Sequence, residues 1–150
     1  MRWDELAEQP CSIARTLSVI GDRWTLVILR ECFLRTTRFE AFERHLGITR
    51  HILADRLKKL TDEGVLARVP YGARPVRFEY KLTDKGLDLY PLMMSLAAWG
   101  DKYMDKGKGA PLLYEHKACG HDLRPILTCS ACAAPLDPRQ VTVKQGPGAA

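Results

Sequence analysis

The stretch Arg38–Leu82, RFEAFERHLGITRHILADRLKKLTDEGVLARVPYGARPVRFEYKL, decides how this chain folds. Phe39 to His45 reads as a short amphipathic helix, Leu46-Gly47-Ile48-Thr49 as a turn, and Arg50 to Glu63 as a second, more basic helix. After Gly64 come Val65 to Val69, a Pro/Gly/Arg loop, and the alternating run Val76-Arg77-Phe78-Glu79-Tyr80-Lys81-Leu82, as expected of a half-buried strand. Helix, tight turn, basic helix and basic hairpin in that order describe a winged helix-turn-helix, a mainly α fold with a small β wing (α+β). Such a unit lays one helix in a DNA groove and an arginine-bearing loop beside it.

The charge agrees with that reading. The chain has 150 residues and a net charge of +5, and it is 46% apolar and 27% charged, which marks a globular protein. Residues 36–82 hold ten basic side chains against six acidic ones, so four of the five net charges sit there. A cation excess over one segment is the footprint of a polyanion binder. There is no apolar run long enough to span a bilayer and no secretory signal pattern, so no membrane partner and a cytoplasmic location are expected. Five cysteines in that setting point to metal or redox chemistry rather than disulfides.

At about 100° per residue, Leu53, Leu57 and Leu60 share one side of the second helix and face the core. The opposite side carries His51, Ala54, Asp55 and Lys58, with Arg50 near the N-terminal end and Lys59 on the flank. Thr49 can cap this helix, and its exposed amides and hydroxyl favour a phosphate. Arg50, His51 and Ala54 are the expected base contacts, Ala54 against a thymine methyl. Lys58 and Lys59 are expected on phosphates, which position without specifying. Asp55 is suited either to a cytosine amino group or to orienting an arginine. Arg74 sits near the wing tip, and with Arg77 it suits a narrow minor groove or its flanking phosphates.

Ahead of this unit, Ser12 is read as the cap of a helix bearing Ile13, Leu17 and Ile20 and ending at Gly21. Asp22 caps the next, with Trp24, Val27, Ile28 and Leu34 as its buried stripe and Cys32 as packing. Behind it, Thr83-Asp84-Lys85-Gly86 opens a long apolar helix to about Met104, with a bend or break at Pro91. That helix has more apolar surface than a small domain covers, which points to a homodimer, and two-fold symmetry suits an inverted-repeat operator. The expected organisation is 1–105 for the DNA-binding and dimerisation domain, 106–112 for a linker, 113–143 for a small Cys/His hairpin module and 144–150 for a disordered tail.

From Cys11 to about Tyr103 the chain resembles the HxlR-type branch of the winged-helix regulators, related to the MarR group. The likeness rests on Cys11-Ser12-Ile13-Ala14, Ile20 to Leu26, Ile28-Leu29-Arg30-Glu31, Arg38-Phe39-Glu40, Gly47-Ile48-Thr49, Leu53 to Leu57, Glu63-Gly64-Val65-Leu66 and Tyr80 to Gly86. It implies a homodimeric bacterial transcription factor whose first and last helices make the dimer interface.

Two cysteine questions remain. Cys11 precedes a helix N-terminus with Arg15 one turn on, features that favour a reactive thiol. Several proteins of the resembled group sense oxidants or electrophiles with a cysteine there, and a packed cysteine is the alternative. Outside the resemblance, His116-Lys117-Ala118-Cys119 and Cys129-Ser130-Ala131-Cys132 both have the two-residue spacer of a zinc knuckle. His116, Cys119, Cys129 and Cys132 would make a closed structural Zn(II) site, with His121 as rival nitrogen ligand. Free thiols or a redox-labile pair are the alternatives, and His116 and Ala133 depart from the usual knuckle residues. No Ser/His/Asp set, phosphate-cradling glycine loop or carboxylate pair suggests an enzyme. The expected protein is a DNA-binding transcriptional repressor with an unknown small-molecule or oxidant effector. A protein-interaction adaptor without DNA binding is the reading from another class.

Overall fold

The computed structural model describes residues 2–149. Met1 and Ala150, the outer ends of the expected first domain and tail, lie outside the described residues. Five helices come first: α1 (Trp3–Ala7), α2 (Ser12–Ile20), α3 (Arg23–Phe33), α4 (Phe39–Leu46) and α5 (Arg50–Asp62). The hairpin β1 (Leu66–Tyr71) and β2 (Arg77–Leu82) follows, then α6 (Asp84–Leu87) and α7 (Tyr90–Tyr103). A two-residue pair, β3 (Glu115–His116) and β4 (His121–Asp122), and a 3-10 turn at Pro138–Gln140 complete the chain. The order is that of a winged helix-turn-helix. The chain forms two compact units, residues 2–90 and 91–149.

The first unit is built around α5. Leu53, Leu57 and Leu60 have no exposed surface, and Phe42 from α4 and Ile28 and Leu29 from α3 are equally buried. Fully burying one such side chain contributes about 2 kcal/mol. Gly47 ends α4 at φ 61°, a left-handed conformation that glycine takes without a Cβ clash, and its amide donates to the Glu43 carbonyl at 3.0 Å. Buried Ile48 then fills the angle between α4 and α5. β1 and β2 pair antiparallel from Leu66↔Leu82 to Tyr71↔Arg77, leaving residues 72–76 as the wing loop.

Asp22 caps α3 as expected, accepting from the Trp24 and Thr25 amides at 3.0 and 3.1 Å and from the Thr25 hydroxyl. A Cβ on Gly21 would collide with the Leu17 carbonyl oxygen, so the tight exit from α2 requires glycine. Thr83 opens α6, its hydroxyl accepting from the Gly86 amide at 3.1 Å. The chain breaks at Asp88–Leu89 and Pro91 falls in the first turn of α7, where its missing amide costs nothing.

Several expectations need correction. Cys11, not Ser12, is the N-cap of α2, because Ser12 already has helical backbone and only Cys11 is extended. On α2, Ile20 is buried, while Ile13 is 72% and Leu17 42% exposed. In α3 the buried face is Thr25, Ile28, Leu29 and Cys32, while Trp24 and Val27 are half-buried and Leu34 is exposed. Leu34 follows the last helical residue and lies about 240° around the helix from Ile28. Val76 stays in the wing loop, exposed, and Glu79 is half-buried rather than outward because it pairs with Arg38.

The two compact units divide between Tyr90 and Pro91. Within the second unit, Met94, Ala97 and Ala98 of α7 share a cavity with Leu112, Leu123 and Ile126, which ties the helix to the segment beyond it. The expected linker is ordered by Asp105, whose carboxylate accepts from the amides of Gly107 and Gly109 at 3.0 and 3.2 Å. Residues 144–149 have no helix or strand.

Leu57→Ala should lower the unfolding free energy by about 3 kcal/mol in a urea titration. His51→Ala, on the opposite face of the same helix, should stay within about 0.5 kcal/mol of the parent.

Candidate nucleic-acid interface

With its leucines turned inward, α5 presents His51, Ala54, Asp55 and Lys58 to solvent. Thr49 is the N-cap, but its hydroxyl accepts no capping hydrogen bond, so both it and the first amides of α5 remain available to an anion. Arg50 is held in place: its Nη1 donates to Glu43 Oε2 at 2.8 Å and its guanidinium lies 4.8 Å from the centre of the Phe39 ring. An exposed pair of this kind is worth at most about 1 kcal/mol, so a phosphate or base edge displaces Glu43 at little cost. Lys58 donates to Asp62 one turn later, and that hydrogen bond raises the pKa of its ammonium.

Two cations of α5 are used inside the protein. Lys59 Nζ donates to the Ser18 carbonyl at 2.6 Å and lies 5.5 Å from the Trp3 ring, a bond that ties α5 to α2. Arg56 Nε stands 3.0 Å from Asp22 Oδ1, and Asp55 bonds its other end. Asp55 therefore orients an arginine, one of its two expected roles. Burial pushes the Asp22 carboxyl up, but hydrogen bonds from Thr25 and Arg56 outweigh it and hold Asp22 below the usual aspartate range. The α3 cap is thereby the anchor of the exposed helix.

In the wing, Arg74 and Arg77 are exposed and make no ion pair among the described residues. Gly72, at φ 73°, turns the loop that carries Arg74. The hairpin also gathers arginines from α4 and its start and from both strands in one place. Arg38, Arg44, Arg68 and Arg77 line one groove of about 660 Å³ with Phe39, Tyr71 and Phe78. Arg38 lies 4.7 Å from the Tyr71 ring and Arg68 3.6 Å from the Phe78 ring. Phe39 also carries Arg50, so the groove adjoins the N-terminal end of α5. The signal in the sequence was the alternation of charged and aromatic residues in Arg77–Lys81; the approach of Arg68 and Tyr71 to them depends on the register.

A buried carboxylate joins α3 to the turn after it and to α4. Glu31 Oε2 accepts from the Thr36 hydroxyl at 3.0 Å and lies 2.9 Å from His45 Nδ1, while Oε1 accepts from Arg30 at 2.9 Å. Burial raises its pKa, and the bonds from His45, Arg30 and Thr36 overcome that, leaving it below the usual glutamate range. α3 and α4 are thus joined by a charge.

The remaining cysteines are dispersed. Cys11 is exposed, while Arg15 donates from Nε to the Gln9 carbonyl at 2.8 Å. Cys32 is buried, which with the neighbouring Glu31 pushes its thiol up to about 12. His116 Nδ1 and Cys119 Sγ are 3.5 Å apart in one turn, and Cys129 and Cys132 share another. In the second turn the amides of Ala131 and Cys132 and the Cys132 thiol hold Cys129 below the usual thiol range. Among the described residues no three potential metal ligands come together. The expected set of His116, Cys119, Cys129 and Cys132, with His121, is therefore not gathered. Each turn is closed by its own backbone bonds, Gly120 N to His116 O at 2.7 Å and Ala133 N to Cys129 O at 2.8 Å, and no third ligand enters either.

An exposed basic helix over a leucine core, with an arginine wing beside it, defines a DNA-binding protein of the transcription-regulator class. The model of the HxlR-like helix-turn-helix family matches residues 19–108, and the chain belongs to that family. It is 42% identical over 137 residues to Rv3095 of Mycobacterium tuberculosis, an uncharacterized HTH-type transcriptional regulator, covering 91% of this chain and 87% of that one. The crystal structure of PA1607, a provisionally assigned transcription factor, superposes with TM-score 0.86 at 32% identity over 95% of this chain and 99% of that one. The reduced redox regulator HypR gives 0.59 at 28% identity, covering 65% of this chain and 96% of its own. PA1607 thus matches nearly the whole of this chain, and HypR about two thirds of it.

Glu31→Gln should reduce stability by about 1–3 kcal/mol at neutral pH. Because the folded pKa is depressed, the parent's advantage is full above the ordinary glutamate range and vanishes as pH falls through the folded value. Paired urea titrations across that acid range measure it.

Proposed function

We propose that the protein is a homodimeric repressor, active in the cytoplasm and without enzymatic chemistry of its own, that reads an inverted-repeat operator. The observation that carries this reading is the exposed face of α5, where Arg50, His51 and Ala54 stand at the end that meets base edges in helix-turn-helix docking. Arg50, His51 and Ala54 read the major groove. Thr49 and Lys58 hold phosphates, and Arg74 and Arg77 follow the minor groove or its flanking phosphates. Lys59 is left out of the contact set because its ammonium is taken up by Ser18. Arg44 and Arg68 extend the basic surface. Dimerisation is supported by exposed apolar side chains on two helices: Ile13 and Leu17 on α2, and Leu92, Leu96 and Trp99 on α7. A two-fold dimer would place its two α5 helices on half-sites about 34–36 Å apart.

Selection from a random duplex library, followed by fluorescence anisotropy on the enriched site, tests the reading. Arg50→Ala or His51→Ala should change base preference. Arg74→Ala should weaken all sequences about equally and reduce the salt slope by roughly one. An Arg50→Ala/Arg74→Ala double variant that binds the selected duplex as well as the parent at moderate salt would refute it. Light scattering should give the mass of a dimer.

A second reading is favoured by the exposed, unpaired thiol of Cys11 at the N-cap of α2. Peroxide would transfer one oxygen to Sγ, giving a sulfenic acid and water, and so change occupancy of the operator. Peroxide should then weaken DNA binding by the parent and not by Cys11→Ser; equal loss in both excludes Cys11 as the sensor.

A further inference from the structure

α3 and α5 end in the same motif. At the end of α5, the Gly64 amide donates to the Thr61 carbonyl at 3.0 Å and the Val65 amide to the Leu60 carbonyl at 2.9 Å, with Gly64 at φ 71°. At the end of α3, the Arg35 amide donates to the Cys32 carbonyl at 3.0 Å and the Thr36 amide to the Glu31 carbonyl at 2.9 Å, with Arg35 at φ 72°. This left-handed position is the one glycine ordinarily fills, because a Cβ is disfavoured there. Arginine has no backbone reason to be at such a site, and an outlier of this kind points to a use for the side chain.

The surroundings of Arg35 supply one. It lines a cavity of about 750 Å³, within the range of small-molecule sites. Phe33 and Tyr90 form one wall, their ring centres 5.0 Å apart and their planes inclined by 47°. Leu82 and Leu87 continue the apolar lining, and Cys32, buried and neutral, closes it. Two cations line the cavity and no carboxylate does. Lys81 lies 3.4 Å from Glu79, whereas the Arg35 side chain makes no hydrogen bond, ion pair or ring contact among the described residues.

We propose that this cavity binds a small organic anion with an apolar body, an aromatic carboxylate, whose carboxylate pairs with the Arg35 guanidinium while its ring lies against Phe33 and Tyr90. A guanidinium offers two parallel donors to a carboxylate, and the aromatic wall supplies the apolar contact. The site borders the joint between α3 and the DNA-binding elements. The Thr36 hydroxyl donates to Glu31, and the Tyr80 amide of β2 donates to the Thr37 carbonyl at 2.8 Å. A ligand that contacts these residues differently in two arrangements of the wing shifts the balance between them. Only this regulatory consequence rests on the repressor reading; anion binding does not.

The test uses para-fluorobenzoate as probe and the neutral para-fluorobenzamide as control, with the full chain and no DNA, followed by fluorine NMR and calorimetric titration. Benzoate should bind at millimolar concentration or below, and the amide at least about tenfold more weakly. Arg35→Gly should weaken benzoate binding at least about tenfold while raising the melting temperature, since glycine suits the left-handed position. Arg74→Ala, a wing variant, should bind benzoate like the parent. Equal binding of acid and amide, undiminished binding by Arg35→Gly, or no binding of benzoate overturns the proposal. Anisotropy on the selected duplex, measured separately, should show intact DNA binding by ligand-free Arg35→Gly and a benzoate-dependent change in the parent alone. If the parent binds benzoate with no change in DNA affinity, the regulatory consequence falls and the site stands. Failure to bind DNA under any condition sinks the repressor reading instead.

Discussion

Leu53, Leu57 and Leu60 have no contact with solvent, and their burial against Ile28, Leu29 and Phe42 determines which way α5 faces. A helix has one rotational setting once three residues on a single side are locked into a core. Turning the leucines inward turns His51, Ala54 and Lys58 outward as a rigid consequence. The direction of Arg50 follows from the same constraint, because it places the start of α5 against Glu43 and Phe39 of α4.

Charges inside the first unit then fix what packing leaves free. Asp22 caps α3 and also meets Arg56, so one carboxylate stiffens a helix start and holds the exposed helix to it. Glu31 joins α3 to the end of α4 through His45 and to the following turn through Thr36. Both carboxylates are held ionised by hydrogen bonds that exceed the cost of burial. Such links are sensitive to geometry, which suits a unit whose two helices must keep one angle to fit a groove.

The same structure sorts the cations by what they meet inside the fold. Arg56 and Lys59 are engaged within the fold, whereas Arg74 and Arg77 extend from the wing without ion pairs among the described residues. Arg38 and Arg68 lie between, spread over aromatic rings in the groove beside α4. A regional net charge counts all of these equally. Only those free of internal partners can release counterions from DNA at full effect.

What the sequence by itself determined was whatever depends on local periodicity and local chemistry. The leucine spacing of α5, the glycine turn at Gly47, the Asp22 cap, the wing hairpin and an interruption close to Pro91 are all short-range and all were legible. So was the family, from motifs spread over most of the first unit. Tertiary structure decided the matters that turn on residues far apart in the chain. It gave Lys59 to Ser18, exposed Ile13 and Leu17, placed Val76 outside the strand, and drew α7 into the second unit. It kept the His116 and Cys129 turns from forming a common ligand set. It also set Arg35 in a glycine's conformation over an apolar cavity. The physical reason is common to them all. A periodic pattern states which face of an element is apolar, but what that face or a long cationic side chain meets depends on how distant elements close around it.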